Sequence, residues 1–268
     1  MTTTDRETDK IKQIECFIFD MDGTIYLGGD LLPGAAEIVN YLLDQEIPFY
    51  FLTNNSSRSK LDYVKKLTAF ELPVSPNEIF TSGEATAIYL QRQKPGARVF
   101  VVGTPSLEEE FISFGFDLVQ ENPDYAVLGF DTTLTYEKIW KLCDFVRDDV
   151  PYIATHPDIN CPTETGFMPD IGAIMAMVAS STGRKPDLII GKPYTSIVEA
   201  IIEKTGFAPA QMAMVGDRLY TDIALGKAGI KTILVLSGEA KEEDIPSAPV
   251  KPDFVLENVG ELLNVLRG

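Results

Sequence analysis

The sequence predicts an α/β protein built on a doubly wound, Rossmann-like parallel sheet, and three observations lead there. Strand-like apolar runs alternate with helical patterns from end to end, which argues for βαβ units rather than segregated helices and strands. The run Phe17-Ile18-Phe19 is continuously apolar, as a central strand covered on both faces must be. Polar and charged residues then gather where such strands end: Asp20 and Asp22, Thr53 to Ser57, Lys192, and Asp217 with Asp222. In open α/β sheets, ligands bind outside the carboxyl ends of the strands.

The first unit is a strand at 16–20, a loop through Pro33-Gly34, and a helix with Ile38, Leu42 and Leu43 on its apolar stripe. A second strand, 48–52, runs into the polar cluster Thr53-Asn54-Asn55-Ser56-Ser57. Leu61, Val64 and Leu67 mark the following helix, so the cluster lies near a helix N-terminus, where free N–H groups and the macrodipole favour an anion. From about Ser82 to Lys185 runs a second α/β set: strands at 99–103, 126–130 and 152–155, with helices from 106, at 136–146 and at 172–181. After Pro186 the rhythm returns with strands at 188–191, 212–216, 232–236 and 254–256. Gly83 and Gly183-Arg184-Lys185-Pro186 are the best linker signals, although each also suits an ordinary helix end. The expected organisation is a core of residues 1–82 and 187–268, interrupted by an inserted α/β domain at 83–186.

Composition narrows the function. The 268 residues allow one large domain or two modest ones, and 45% apolar with 24% charged residues is ordinary for a soluble protein with a full core. Forty Asp and Glu against 23 Lys and Arg leave a net charge of −17 with no basic block, so nucleic acid is not an expected partner. That charge also repels an anionic substrate at long range, and any phosphate site must create its own local positive field. Met1 to Gln13 is polar, without the apolar core of a signal peptide, and no stretch approaches the roughly 20 apolar residues of a membrane span. The expectation is a cytoplasmic protein with no membrane partner. Cys16, Cys143 and Cys161 are odd in number and lack C-x-x-C spacing, which suggests neither a disulfide framework nor a zinc knuckle. Oligomeric state stays open, with a homodimer compatible.

Asp20 stands where a carboxylate can attack phosphorus and form an acyl phosphate, and Asp22 can supply and remove the protons. Each group has a plainer explanation when taken alone. Asp20 and Asp22 could cap a turn that Gly23 permits, Thr53-Asn54 could open a helix, Lys192 could be a surface lysine, and 216–222 could be a strand end before a helix N-cap. Taken together, a phosphate dianion beside Asp20 and Asp217 gathers about four negative charges, which cannot share a site uncompensated. A divalent cation is required, and oxygen donors suit magnesium. Lys192 adds a positive charge, while the Thr53 hydroxyl, the Asn54 amide and nearby backbone donors around Asn55 can hold the equatorial phosphoryl oxygens.

In this order the four groups resemble the motifs of the haloacid dehalogenase superfamily, and the insertion between the second and third looks like the α/β cap of its NagD-like, nitrophenylphosphatase-related branch. The likeness spans nearly the whole chain after Gln13. It implies a phosphatase working through an aspartyl phosphate on Asp20, with magnesium held by the Asp20 carboxylate, the Asp22 backbone carbonyl and the Asp217 carboxylate. Asp222 is expected to orient Lys192 or a metal-bound water, with direct ligation the lesser option. Where the family dehalogenates carbon the second aspartate is absent, and where it pumps ions that position is threonine. Asp22 therefore points to hydrolysis of a phosphomonoester, of the sugar phosphate or nucleoside monophosphate class. A phosphotransferase would need an acceptor-alcohol site, and none is apparent. A phospho-accepting signalling domain would place its acceptor later in the chain, and a catalytically dead binding module would lack a motif residue that this chain has.

His156 is the only histidine, in Thr155-His156-Pro157-Asp158-Ile159-Asn160-Cys161. The branch often carries asparagine there. A substrate contact and a loop histidine with a satisfied hydrogen bond both stand as readings, whereas a zinc site of His156, Asp158 and Cys161 has unsuitable support. The inserted domain is expected to act as a closing cap whose 156–161 loop helps choose the leaving group.

Overall fold

The apolar run at the start of the chain becomes the middle of a six-stranded sheet in the computed structural model, which describes residues 5–163 and 166–268. All four residues of the Cys16–Phe19 strand are buried, so neither face of it meets solvent. Across the sheet the order is Phe254–Leu256, Lys231–Val235, Met212–Gly216, Cys16–Phe19, Phe49–Thr53, Ile79–Thr81. The central pairings are parallel, with Ile18 opposite Met214 on one side and Tyr50 on the other. The chain builds outward from Cys16–Phe19 in one direction and later from Met212–Gly216 in the other. These two neighbouring strands define the topological switch point, and Asp20 and Asp217 follow directly at their carboxyl ends.

Two compact units divide the chain. Met1–Thr53, Lys60–Phe80 and Ile201–Gly268 make the first, and Asn54–Ser59 with Thr81–Ala200 make the second. The first has a core around Phe17, Phe19, Phe51, Val215 and Ile233, in which the Phe19 and Phe51 rings lie 6.2 Å apart. The second is built on a five-stranded parallel sheet in the order Leu188–Ile189, Tyr152–Ala154, Tyr125–Leu128, Arg98–Val102, Asp117–Leu118. Phe100, Leu128, Tyr152 and Ile174 fill its core.

The principal strands expected from apolar runs are present, and the α/β class with parallel sheets holds. The differences are local. The strand after Pro186 was expected to open the returning core; instead Leu188–Ile189 is the edge of the second sheet, paired with Ile153 and Ala154. Asp187 anchors it, donating its N–H to the Tyr152 carbonyl at 2.7 Å and accepting the Tyr152 N–H at 2.8 Å. The linker signals are both helix ends. Gly83 is the second residue of helix Ser82–Gln93, whose Thr81 cap accepts the Glu84 N–H, and Gly183 closes helix Ile171–Thr182 with φ of 75°. Residues 54–59, expected beside the first strands, are bonded into the second unit: the Phe130 N–H donates to Ser56 Oγ at 2.9 Å and Thr104 Oγ1 donates to the Ser57 carbonyl at 2.9 Å. Cys16, Cys143 and Cys161 form no disulfide, and burial pushes the Cys16 thiol up to about 12. No helix among the described residues is long and apolar enough to cross a membrane.

Gly34 precedes helix Ala35–Asp44 with φ of 82°, and a Cβ there would lie 2.1 Å from the Gly260 Cα in helix Val259–Arg267. Gly34→Ala combines left-handed strain with a backbone collision and should destabilise the protein by about 3 kcal/mol. Urea unfolding measures this, and an unchanged midpoint would show that the two helices can part at no cost.

Candidate active site

The chemistry of the first unit is set at the carboxyl ends of its two central strands. The Asp20 N–H extends the ladder by donating to the Val215 carbonyl at 2.8 Å, which fixes the residue at the sheet edge. The chain then turns through Gly23, whose φ of 90° suits glycine, and the Gly23 N–H donates to the Tyr26 carbonyl at 2.8 Å. Asp20 is buried and Asp22 exposed. Tyr26 Oη donates to Asp22 Oδ2 at 3.2 Å. Burial first, and then the Asp22 charge, push the Tyr26 phenol far above its ordinary value, so it remains a donor.

Asp217 and Asp222 are both buried. The Glu239 N–H donates to Asp217 Oδ2 at 2.7 Å, and the Arg218 N–H donates to Asp222 Oδ2 at 3.1 Å. A Cβ on Gly23 would fall 2.3 Å from Asp217 Oδ2, and one on Gly238 would fall 2.1 Å from it, so the carboxylate is packed between two glycines. Ser237 Oγ donates to the Gly23 carbonyl at 2.9 Å and ties the two glycine loops together. Carboxylate oxygens of Asp20, Asp217 and Asp222 all lie within 4.8 Å of one another. This buried, all-oxygen donor set fits a hard divalent cation such as magnesium, calcium or manganese. Asp222, expected mainly as an orienting group, stands inside this cluster. Arg218 pairs with Glu239 at 3.0 Å; burial opposes its charge, but Asp20 and Asp217 raise its pKa above the ordinary value.

Thr53 ends its strand in the first unit, buried. Its neighbour Asn54 belongs to the second, where its side-chain amide brackets the backbone of Lys192. Asn54 Oδ1 accepts the Lys192 N–H at 2.8 Å and Nδ2 donates to the Lys192 carbonyl at 2.9 Å. Nδ2 also reaches both carboxylate oxygens of Asp158, at 3.1 and 3.2 Å. The amide expected to hold phosphoryl oxygens is thus engaged with Lys192 and Asp158. Asn55 Oδ1 accepts from the Ser57 N–H and hydroxyl, at 2.9 and 2.7 Å, and shapes the loop.

His156 is fully buried, so any influence on a bound molecule passes through its neighbours. Its Nδ1 lies 3.5 Å from Asp158 Oδ2 and its Nε2 lies 3.5 Å from Asp170 Oδ1. The Asp158 N–H donates to Nδ1 at 3.4 Å, which makes Nδ1 the lone-pair nitrogen and puts the proton on Nε2. Burial holds the imidazole pKa down to about 4, against the pull of Asp158 and with Lys192 assisting. Burial pushes Asp170 up to about 7, against the Ile171 N–H that it accepts and with Asp158 adding. Cys161 is not in this group, whose third member is Asp170.

Sequence reasoning missed Asp170, Arg218, Ser237, Gly238 and Glu239. A readable signal existed for three of them. Asp170 precedes an apolar helical run as its N-cap, and Ser237-Gly238 comes directly after a buried strand at the sheet's carboxyl edge.

Comparison with known proteins shows the family. A haloacid dehalogenase-like hydrolase profile matches residues 17–117, and a second profile of the same kind matches residues 189–262. The chain is 36% identical to an acid sugar phosphatase of Staphylococcus epidermidis over 93% of its own length and 96% of the relative's. It is 35% identical to the 5'-nucleotidase YutF of Bacillus subtilis, over 94% and 98%. The crystal structure of a 4-nitrophenylphosphatase from Thermotoga maritima superposes with a TM-score of 0.91 at 51% identity, covering 96% of this chain and 99% of that one. The chain therefore belongs to the haloacid dehalogenase-like hydrolases, as a phosphatase of the NagD-like branch.

The single imidazole should keep the nitrogen NMR shifts of a neutral Nε2–H ring on acidification and turn only near pH 4. A transition near the ordinary value of about 6.5 would contradict its burial. His156 and Asp170 pull stability in opposite directions. The unfolded chain protonates its histidine near 6.5 and the folded chain only near 4, so this contribution is lost as pH falls through that interval. The folded chain keeps the Asp170 proton up to about 7 whereas the unfolded chain loses it near 3.8, so that contribution is lost as pH rises. Asp170→Asn removes the second effect. Its urea-unfolding stability should fall more steeply than wild type on acidification from about 6.5 to about 4.

Proposed function

We propose that this phosphatase hydrolyses phosphomonoesters of small metabolites, sugar phosphates or nucleoside monophosphates, with magnesium and through a phosphoryl group carried on Asp20. The supporting observation is the placement of Asp20 and Asp217 at the ends of adjacent strands at the switch point, with Asp222 beside them. Relatives named acid sugar phosphatase and 5'-nucleotidase motivate the two substrate classes.

In the first step an Asp20 carboxylate oxygen bonds to phosphorus, and the bond from phosphorus to the ester oxygen breaks. Asp22, exposed and two residues on, gives its proton to the departing alkoxide. In the second step the ionised Asp22 takes a proton from water, whose oxygen attacks phosphorus and frees Asp20 and inorganic phosphate. The Tyr26 hydroxyl holds Asp22 at its post throughout. Magnesium, when bound, supplies the charge that lets a phosphate dianion sit among carboxylates. Asp20, Asp217 and the Asp22 carbonyl are assigned to hold it, and Asp222 to orient that shell or join it. On motif order we assign Lys192 and the Thr53 hydroxyl to the phosphoryl oxygens. We assign leaving-group selection to the inserted cap, 83–186, and the protein to the cytoplasm.

Asp20→Asn keeps the size of the side chain and removes the attacking charge, so kcat for nitrophenyl phosphate should fall at least about a thousandfold while the fold survives. Near-wild-type turnover would exclude covalent catalysis by Asp20. Chelation should abolish turnover and added magnesium restore it. In calorimetry Asp217→Ala should weaken magnesium binding about 10- to 100-fold. Full activity after exhaustive chelation would exclude the metal.

A further inference from the structure

In the second unit a run of polar contacts leads from a helix cap to the lysine of the third motif. Asp170 caps helix Ile171–Thr182 by accepting the Ile171 N–H at 2.6 Å. Asp170 Oδ1 faces His156 Nε2, Nδ1 faces Asp158, and Asp158 accepts the Asn54 amide that brackets the Lys192 backbone. His156 Nε2 is buried and, among the described residues, makes no hydrogen bond; Asp170 Oδ1, 3.5 Å away, is the acceptor that faces it. The Phe130 ring packs edge-on against the imidazole, with centroids 6.5 Å apart, and offers it nothing polar on that side. A buried imidazole is costly to leave unpartnered, and here Nδ1 accepts the Asp158 N–H while Asp170 Oδ1 is placed toward Nε2.

We propose that Asp170, His156 and Asp158 form a positioning relay for Lys192, in which the buried imidazole sets Asp158, Asp158 sets the Asn54 amide, and that amide fixes the backbone from which the lysine extends. The alternative of one metal ion shared by these three residues fits less well. One ring nitrogen and one oxygen from each carboxylate do lie within 4.8 Å of one another, but the Asp158 carboxylate is already engaged by the Asn54 amide and Asp170 Oδ1 by the Ile171 N–H, so the relay is favoured and a shared ion is an outcome of the test. The relay rests on the assignment of Lys192 to the phosphoryl group. His156 acts through other residues and is a positioning residue.

The test uses the whole protein and inorganic phosphate as the probe, read as its competitive inhibition constant against nitrophenyl phosphate. His156→Leu keeps the volume and removes both nitrogens; it should raise that constant about tenfold, as loss of an orienting partner does elsewhere. Magnesium affinity by calorimetry should be unchanged, since the Asp20, Asp217 and Asp222 carboxylates belong to the first unit. Asp170→Asn, which retains an N-capping side chain, should produce a smaller change in the same direction and covers the case in which His156→Leu fails to fold. In an Asn54→Ala background, His156→Leu should add no further loss, because the effect must pass through that amide. The relay is overturned if phosphate inhibition is unchanged in both His156→Leu and Asp170→Asn, or if the His156 and Asn54 losses are additive. It is also overturned if zinc or manganese binds a second site that His156→Leu abolishes. Lys192→Ala separates the two levels: unchanged phosphate inhibition there removes the assignment beneath the relay, whereas a large loss there with none in His156→Leu removes the relay alone.

Discussion

Three carboxylates held within 4.8 Å of one another and away from solvent are the demand around which the first unit is organised. Like charges this close repel strongly where little water can screen them. The fold answers with geometry before it answers with charge. Parallel strands at the switch point deliver Asp20 and Asp217 side by side, and the glycines at 23 and 238 let two loops close on the Asp217 carboxylate. Backbone N–H groups of Glu239 and Arg218 then point at two of the carboxylates, and the Arg218 guanidinium sits in their combined field. A site arranged this way is poorly balanced without a cation and well balanced with one.

The second unit handles buried acidity by the opposite means. Around His156 charge is avoided, not gathered: the ring stays neutral and Asp170 holds its proton into the neutral range. Asp158, partly exposed, turns both carboxylate oxygens to the Asn54 amide. One protein thus holds an acidic cluster suited to binding an ion and another suited to holding a backbone still, and the partners of the acids separate the two roles. In the first the donors are three carboxylates; in the second the acids are engaged by an imidazole, the Asn54 amide and a helix N-terminus.

Much of this was legible in the sequence, and the reason is physical. Buried parallel strands read as unbroken apolar runs, so 16–20, 99–103, 126–130 and 212–216 stood out, and the polar residues at their ends followed from topology. Short edge strands carry too few residues to announce themselves. Ile79–Thr81 gives no signal of its own, and Leu188–Ile189 could be seen as a strand but not assigned to its sheet. The grouping of His156 with Asp170 was hidden because Asp170 looks like an ordinary cap and nothing local says which ring it faces. Thr53 and Asn54 read as one motif, yet the boundary between the two compact units falls between them.

The strand order also governs how the chain can acquire its structure. Cys16–Phe19 precedes its neighbour Met212–Gly216 by about 200 residues, and the first sheet is incomplete until Phe254–Leu256 has joined it. The second sheet draws all five strands from a single stretch between Arg98 and Ile189. Local pairing favours early folding of that stretch, while the fully buried central strand of the first sheet waits with its hydrogen-bonding edge exposed. Pairing across that separation makes the first sheet the slower of the two to form, and its apolar central strand the segment most open to mispairing meanwhile.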